Sequence, residues 1–352
     1  MNINQQFELL RYFYRNKEAL SLGSCDVKLG LSSEMQVNDC MKTVMLTYPQ
    51  TLTSDELRRQ PQVLAIGQFD GMHLGHASVI LSAVRIAREK GMQSAVMTFH
   101  PHPKEVMRKG DYEGYLTPLR DKEDILAEMG VDVLYVVEFN EEFSHLTPEQ
   151  FVHDLLIPLQ TRTAVVGFDF RFGHKGAGDE QMLRSLGSNE MAVETVPPFL
   201  LNGEKVSSSL IRGLLKRGEL DEASQWLGRP YSIRGTVIHG EKRGRTIGFP
   251  TANLELTDHY VAPAKGVYAV RVYHGKQSLR GVMNLGVKPT FHDSGMKPTF
   301  EVHVLDFEGH LYDEELKVEL VHYIREERKF DSIDALISQI REDALTAARL
   351  LG

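Results

Sequence analysis

Cysteine is nearly absent from this 352-residue chain: Cys25 and Cys40 are the only two, and the 312 residues after Cys40 hold none. Two thiols cannot build a disulfide framework, and neither stands in a CxxC pattern for zinc or redox chemistry. A reducing, cytoplasmic compartment is the expectation. No run of 18 apolar residues occurs, so no membrane-spanning helix is expected. The most apolar early stretch, Phe7 to Tyr14, is interrupted by Glu8 and Arg11 and leads to no small-residue cleavage site, so it does not read as a signal peptide. Internal repeats and low-complexity tracts are missing. So are the Walker A, HExxH and GxSxG motifs, and Gly176 and Gly178 are followed by Gln181 where a dinucleotide fingerprint needs a third glycine. Positive charge is in deficit, 40 Lys+Arg against 48 Asp+Glu for a net −8, which excludes non-specific nucleic-acid binding as the main role. Anionic ligands then need local positive sites.

What is present is ordinary globular composition, 42% hydrophobic, 25% charged and 8% aromatic, enough for about two domains. Residues 1–40 fit poorly with the rest and read either as an extension or upstream start, with Met41 a natural beginning, or as a helical appendage. From residue 60 the chain alternates. Val63–Gly67, Ala95–Phe99, Val133–Val137, Ala164–Phe168 and Ala192–Val196 are apolar strand runs. Between them Val79, Ile80, Ala83, Val84 and Ala87 recur at helical spacing, and Asp121–Met129 and Asp179–Leu186 also read as helices. Thr147-Pro148-Glu149-Gln150 is a helix start with a cap, Pro at the first position and a capping-box partner. Alternation of this kind predicts a doubly wound parallel sheet, whose ligands sit beyond the strand carboxyl ends. After two short helices, Ser209–Arg217 and Leu220–Leu227, the strands 232–238, 266–273, 279–285, 299–305 and 316–323 follow one another without helices. They predict a small antiparallel β-barrel, closed off by an amphipathic helix from Ser332 to Leu350 with Ile333, Leu336, Ile337, Ile340 and Leu345 as its stripe. The change of class puts a boundary near Gly228-Arg229-Pro230, giving domains 41–227 and 228–352.

Chemistry-bearing residues collect at the expected strand ends. Gly67-Gln68-Phe69-Asp70-Gly71-Met72-His73-Leu74-Gly75-His76 follows the first strand and opens a helix. Two histidines at i, i+3 beside a helix N-terminus suit the charge that develops on a polyphosphate during nucleotidyl transfer. The plain alternative is a tight turn with two surface histidines. Ser207-Ser208-Ser209-Leu210-Ile211-Arg212 offers hydroxyls and a guanidinium for phosphate, or simply a helix cap. Thr98-Phe99-His100-Pro101-His102-Pro103 ends the second strand, as a ligand rim or a stiff loop. Gly167-Phe168-Asp169-Phe170-Arg171-Phe172-Gly173 ends the fourth, with aromatics that stack on a ring or plug a core edge. In the barrel half, Gly235, Gly240, Gly244 and Gly248 allow close wrapping of phosphates, and Thr251 and Asn253, two apart, are hard oxygen donors suited to Mg²⁺. Along Thr299–Asp306, Phe300, Val302 and Val304 face one way and Glu301 and His303 the other, so Glu301 is a candidate general base or a solvated carboxylate.

In their order, GxFDGxHxGH, TFxPHP, VGxDFxFG and SSxxIR resemble the FMN adenylyltransferase module of bacterial bifunctional riboflavin kinase/FAD synthetases, within the HxGH nucleotidylyltransferases. Gly244-Arg245-Thr246-Ile247-Gly248-Phe249-Pro250-Thr251-Ala252-Asn253 resembles the riboflavin kinase pattern GRxxGFPTAN, Asn284-Leu285-Gly286-Val287-Lys288-Pro289-Thr290-Phe291 and the Glu301 strand are similar to its following segments, and Arg325 with Glu326–Phe330 resembles the segment before its last helix. The resemblance spans about residues 60–350. It departs at Gln68, where asparagine is usual, and at Asp313, where Leu-Tyr-Gly is usual.

It implies FAD biosynthesis: phosphorylation of riboflavin to FMN by the C-terminal domain, then adenylyl transfer from ATP to FMN by the N-terminal domain, with no covalent enzyme intermediate. His73, His76, Arg212 and Glu301 are then the catalytic residues. Gly67, Phe69, Asp70, Gly75, Ser207, Ser208, Gly240, Gly244, Arg245 and Gly248 hold ATP or phosphate. Phe99, His100, Pro101, Asp169, Phe172, Asn284 and Arg325 hold the flavin, and Thr251 and Asn253 hold Mg²⁺. The expected partners are ATP, riboflavin and FMN, with no nucleic acid and no membrane, in a monomer or weak homo-oligomer. The rival reading is a flavin-binding regulator derived from such an enzyme, without turnover.

Overall fold

A computed structural model describes residues 41–49, 60–107, 112–240, 247–289 and 296–352. Residues 1–40 with both cysteines, Gly244, Arg245, Thr290 and Phe291 lie outside the described residues. The chain divides into two compact units: residues up to Tyr112 with Leu119–Val206, and Glu113–Pro118 with Ser207–Gly352.

The first unit is a parallel sheet of six strands, β1 (Lys42–Leu46), β2 (Gln62–Ile66), β3 (Gln93–His100), β4 (Val133–Glu138), β5 (Thr161–Gly167) and β6 (Ala192–Val196), in the order β1-β4-β3-β2-β5-β6. The five expected strands are all present. The sixth, β1, is an edge strand in which only Leu46 is fully buried, so its sequence carries no burial pattern to recognise. By contrast every residue of β2 is buried, as a strand covered on both faces requires. Helix α1 (Leu74–Lys90) lays Ala77, Ile80, Ala83 and Ala87 on the sheet and ends at Gly91 in the left-handed conformation. Helices α2 (Leu119–Glu128) and α3 (Glu180–Leu186) follow their expected spans, and the Thr147–Gln150 capping box forms. The winding starts at β2, runs to β3 and β4 on one side and returns to β5 and β6 on the other. The switch point therefore falls between β2 and β5, where ligands of such sheets bind. A hairpin, β7 (Leu200–Leu201) with β8 (Glu204–Lys205), ends this unit.

The second unit begins with α4 (Ser208–Arg217) and α5 (Leu220–Leu227). Its barrel is closed and holds β9 (Tyr231–Ile238), β10 (Ala252–Leu256), β11 (Gly266–His274), β12 (Gln277–Pro289), β13 (Met296–Val304) and β14 (Glu315–Arg325), in the order β10-β13-β12-β11-β14-β9. The expected strands account for all but β10, whose polar Ala-Asn-Leu-Glu-Leu sequence reads as the end of the glycine-rich loop yet pairs with both β9 and β13 to close the ring. Helix α6 (Ile333–Leu351), capped by Ser332, packs on the outside of the barrel through Ala347 and Leu351 against Ala269 and Val282. Its buried face is rotated from the expected stripe: Ile333 and Leu345 are 65% and 73% exposed, while Asp343 is buried.

Candidate active sites

In the first unit, the turn between β2 and α1 is held in an uncommon backbone conformation. Phe69, Gly71 and Met72 have φ of 47°, 93° and 45°, and only one of the three is glycine. Strain of this kind persists where the surroundings fix it, and it clusters at ligand sites. The turn delivers His73 as the N-cap of α1, its Nδ1 accepting the His76 backbone N–H at 3.2 Å. A neutral His73 ring so engaged carries its proton on Nε2. The two imidazoles stack at 3.6 Å and 16°, and Phe69 meets His76 edge-on at 5.4 Å. Gly75 makes room for that stack, since a Cβ there would lie 3.2 Å from the His73 ring, and a Cβ on Gly67 would lie 2.9 Å from the Phe69 ring. The first turn of α1 holds no acidic residue.

The neighbouring strand end is tied to this turn. Thr98 Oγ1 donates to the Gln68 carbonyl at 3.0 Å, and Gln68 Nε2 donates to the Phe99 carbonyl at 3.0 Å. The departure from asparagine at Gln68 thus makes a link between β2 and β3. Buried Lys122 on α2 joins the same cluster, donating to the Gln68 carbonyl at 2.8 Å and to Thr98 Oγ1 at 2.9 Å. Phe99, His100 and Pro101 are half-buried at the end of β3. At the end of β5, Asp169 is exposed and pairs with Lys205 of β8 at 2.7 Å, and Lys205 also lies 4.4 Å from the Phe168 ring centre. Phe172 is 5% exposed and packs in the core between Phe151 and Phe170, whereas Phe168 is 42% exposed. The ring available for stacking in this segment is therefore Phe168. The strand ends that flank the switch point thus carry the histidine turn and the Gly167–Gly173 loop, with the Thr98–Pro103 segment beside them.

Ser207, Ser208 and Arg212 fall in the second unit. Ser207 caps α4 by accepting the Leu210 N–H at 3.3 Å, and Arg212 donates to the Gly114 carbonyl at 2.8 Å.

The barrel register lines up the second set. Glu301 on β13 is directly opposite Asn253 on β10 and Asn284 on β12. Asn284 is opposite Val267 on β11, and Val267 is opposite Arg325 on β14. Directly opposed residues share a face, so these five form one row across five strands. The row lies on the outer face, because Phe300 and Val302 on either side of Glu301 are buried inside. There four of them, Glu301, Asn284, Val267 and Arg325, line a cavity of about 320 Å³ with Thr251, Phe249 and, from α6, Leu336, Ile340 and Asp343. A second cavity of about 280 Å³, lined by Val237, Pro250, Val304 and Tyr312 among others, also reaches Thr251. Thr251 therefore borders both. A Cβ on Gly240 would lie 2.2 Å from the Asn253 amide nitrogen, so glycine is what lets the backbone close over that side chain. Gly248 sits at φ 87°. His303 contacts the Pro250 carbonyl through Nδ1 at 2.8 Å. Asp313, the departure from Leu-Tyr-Gly, has φ 64°, the left-handed conformation that a glycine there would supply.

Arg325 uses its donors largely within the protein. Nε and one terminal nitrogen bond Asp343 at 3.0 and 2.7 Å, and the other donates to the Glu326 carbonyl. Asp343 also accepts from Gln339, which is bonded by Arg328. Sequence reading did not find Asp343 or Lys122. Both sit at the apolar phase of a helix, Lys122 with Ile125, Leu126 and Met129, and Asp343 with Leu336, Ile340 and Ala347. A charge at that phase is the signal that could have marked them.

Two family models match successive parts of the chain. A model described as FAD synthetase matches residues 55–210, and one described as riboflavin kinase matches residues 227–351. A bifunctional riboflavin kinase/FMN adenylyltransferase of Bacillus subtilis is 43% identical over 311 residues, covering 88% of this chain and 98% of the relative. The protein of that description from Escherichia coli K12 is 40% identical over 302 residues, 84% of this chain and 96% of the relative. The chain belongs to the bifunctional riboflavin kinase/FMN adenylyltransferase family. A solved structure described as a macrolide-efflux protein from Streptococcus pneumoniae shares the fold, with 32% identity, a TM-score of 0.79 and coverage of 88% of this chain and 99% of that one. Among the described residues, no helix of this family member is long and apolar enough to cross a membrane.

Proposed function

We propose that the family's two activities divide between two separate sites, adenylyl transfer by residues 41–227 and riboflavin phosphorylation by 228–352. The observation that carries the kinase assignment is the opposed pair Glu301 and Asn284, which lines one cavity, with Thr251 bordering both that cavity and a second. One cavity takes the flavin, with Asn284 and Arg325 at its polar edge. The other takes the nucleotide, with Gly240 and Gly248 beside its phosphates. Glu301 accepts the proton of the ribityl 5′-hydroxyl as its oxygen attacks the γ-phosphorus and ADP leaves. A general base of this kind is worth about 10²–10⁴-fold in rate.

The donor set fits Mg²⁺. Thr251 offers a hydroxyl and Asn253 an amide oxygen, and among the described residues no cluster of three His, Cys, Asp or Glu forms a cage of its own. Such a cation is held mostly by substrate phosphates and water. Thr251 and Asn253 would hold it, and when bound it neutralises charge on the transferred phosphoryl group.

In the first unit, a phosphate oxygen of FMN attacks the α-phosphorus of ATP and pyrophosphate leaves. His73, His76 and the α1 N-terminus stabilise the charge that gathers on the phosphates. Gly67, Phe69, Asp70 and Gly75 shape that turn. Phe99, His100, Pro101 and Asp169 border the flavin. Phe172 supports this rim from the core. Retention of both polar sets disfavours the regulator without turnover. The protein acts in the cytoplasm on small molecules alone, as a monomer or weak homo-oligomer.

Glu301→Gln is expected to lower FMN formation from riboflavin by at least 100-fold and leave FAD formation from added FMN unchanged. His73→Ala with His76→Ala is expected to do the reverse. Loss of both activities in both variants, each still folded by circular dichroism, would refute the two-site assignment.

A further inference from the structure

Helix α2 carries a lysine where its phase calls for an apolar side chain. Lys122 is 3% exposed and lies on the face of Ile125 and Leu126. Burying an ammonium is unfavourable unless its N–H groups are satisfied, so a position needed only for packing would be served better by leucine or methionine. The Lys122 ammonium reaches two strands at once, the Gln68 carbonyl beyond β2 at 2.8 Å and Thr98 Oγ1 on β3 at 2.9 Å. Those two partners are themselves bonded at 3.0 Å. One launches the strained turn that ends in His73, and the other precedes Phe99 and His100.

We propose that Lys122 is a positioning residue for adenylyl transfer: its ammonium locks the histidine turn to the end of β3 and brings a positive charge to the sheet edge proposed to bind polyphosphate. This rests on the assignment of adenylyl transfer to the first unit. Desolvation lowers the Lys122 pKa from 10.5 to about 8, opposed by attraction to Asp70 in the same turn, itself 5% exposed. Asp70 is the titratable group facing the ammonium; its other contacts, a carbonyl and a hydroxyl, do not titrate. The ammonium is thus charged below pH 8 and neutral above it, so adenylyl transfer should weaken as pH rises through about 8.

The test uses the full chain, with riboflavin phosphorylation as the control. Lys122→Met is expected to lower kcat for FAD formation from FMN at least tenfold at pH 7, to leave the kinase rate within twofold, and to lack the fall near pH 8 seen in the wild type. Thr98→Val keeps the ammonium and removes one acceptor, so its fall should move to lower pH. A Lys122→Met loss below threefold, or the same fall in that variant, overturns the proposal. Should Lys122→Met fail to fold, an unmoved fall in Thr98→Val overturns it instead. A wild-type chain that makes no FAD from FMN contradicts the functional assignment rather than the role of Lys122.

Discussion

A single atom decides what can stand at position 240. Gly240 leaves no room for a Cβ, which would sit 2.2 Å from the Asn253 amide nitrogen and 2.8 Å from its oxygen. Gly240→Ala should therefore displace a residue proposed to hold Mg²⁺, lowering kinase kcat at least tenfold at limiting Mg²⁺, with part of the loss recovered at high Mg²⁺. Steady-state kinetics over a Mg²⁺ series checks this, with FAD formation from FMN as the unaffected control. At this scale the sequence was legible wherever spacing alone places a side chain. The i, i+3 separation of His73 and His76 delivers the stacked pair, and strand alternation puts Glu301 on the face opposite Phe300 and Val302. Contacts made across the fold were not legible. Nothing local to Phe172 says that Phe151 and Phe170 enclose it while Phe168 stays exposed. Lys122 stands in a run of charged residues, and only its phase with Ile125 and Leu126 sets it apart from them.

Among the elements, α6 walls the cavity proposed for the flavin. It contributes Leu336, Ile340 and Asp343 to the wall, and the Arg325–Asp343 pair fastens it to the end of β14. The pair is largely buried, with Asp343 4% and Arg325 20% exposed, so removing one partner strands the other. Asp343→Ala should cost about 3 kcal/mol of barrel stability. It should also raise the KM for riboflavin while leaving adenylyl transfer intact. Urea denaturation and the two assays check it. Elements with an unambiguous burial period were readable from sequence, as in the strands of the parallel sheet from β2 to β6. Edge strand β1 exposes most of its side chains and so lacks the pattern that burial imprints, while β10 alternates over only five residues directly after the glycine-rich segment, too short a run to stand apart from it. The same limit explains α6. Its apolar residues fill more than one face, and only packing on Ala269 and Val282 determines that Ile333 and Leu345 turn to solvent.

At the scale of the molecule, one parallel sheet and one closed barrel are each proposed to serve one transfer reaction. The change from alternating helices and strands to strands alone announces both architectures, because each class needs its own hydrophobic period. Where the compact units meet along the chain is set by contacts instead. Arg212 bonds the Gly114 carbonyl, and α4 and α5 cluster with the barrel, so the contact division falls after Val206, ahead of the change in pattern near Gly228. The central claim is that FMN made at the barrel site is finished at the other, independent site. Mixing tests it most directly: equal amounts of Glu301→Gln and of His73→Ala/His76→Ala are incubated with riboflavin, ATP and Mg²⁺, and FAD is followed by chromatography. Neither variant alone should make FAD from riboflavin, and the mixture should make it after a lag in which free FMN accumulates. A mixture that accumulates FMN without FAD, or forms no FMN, would contradict the claim.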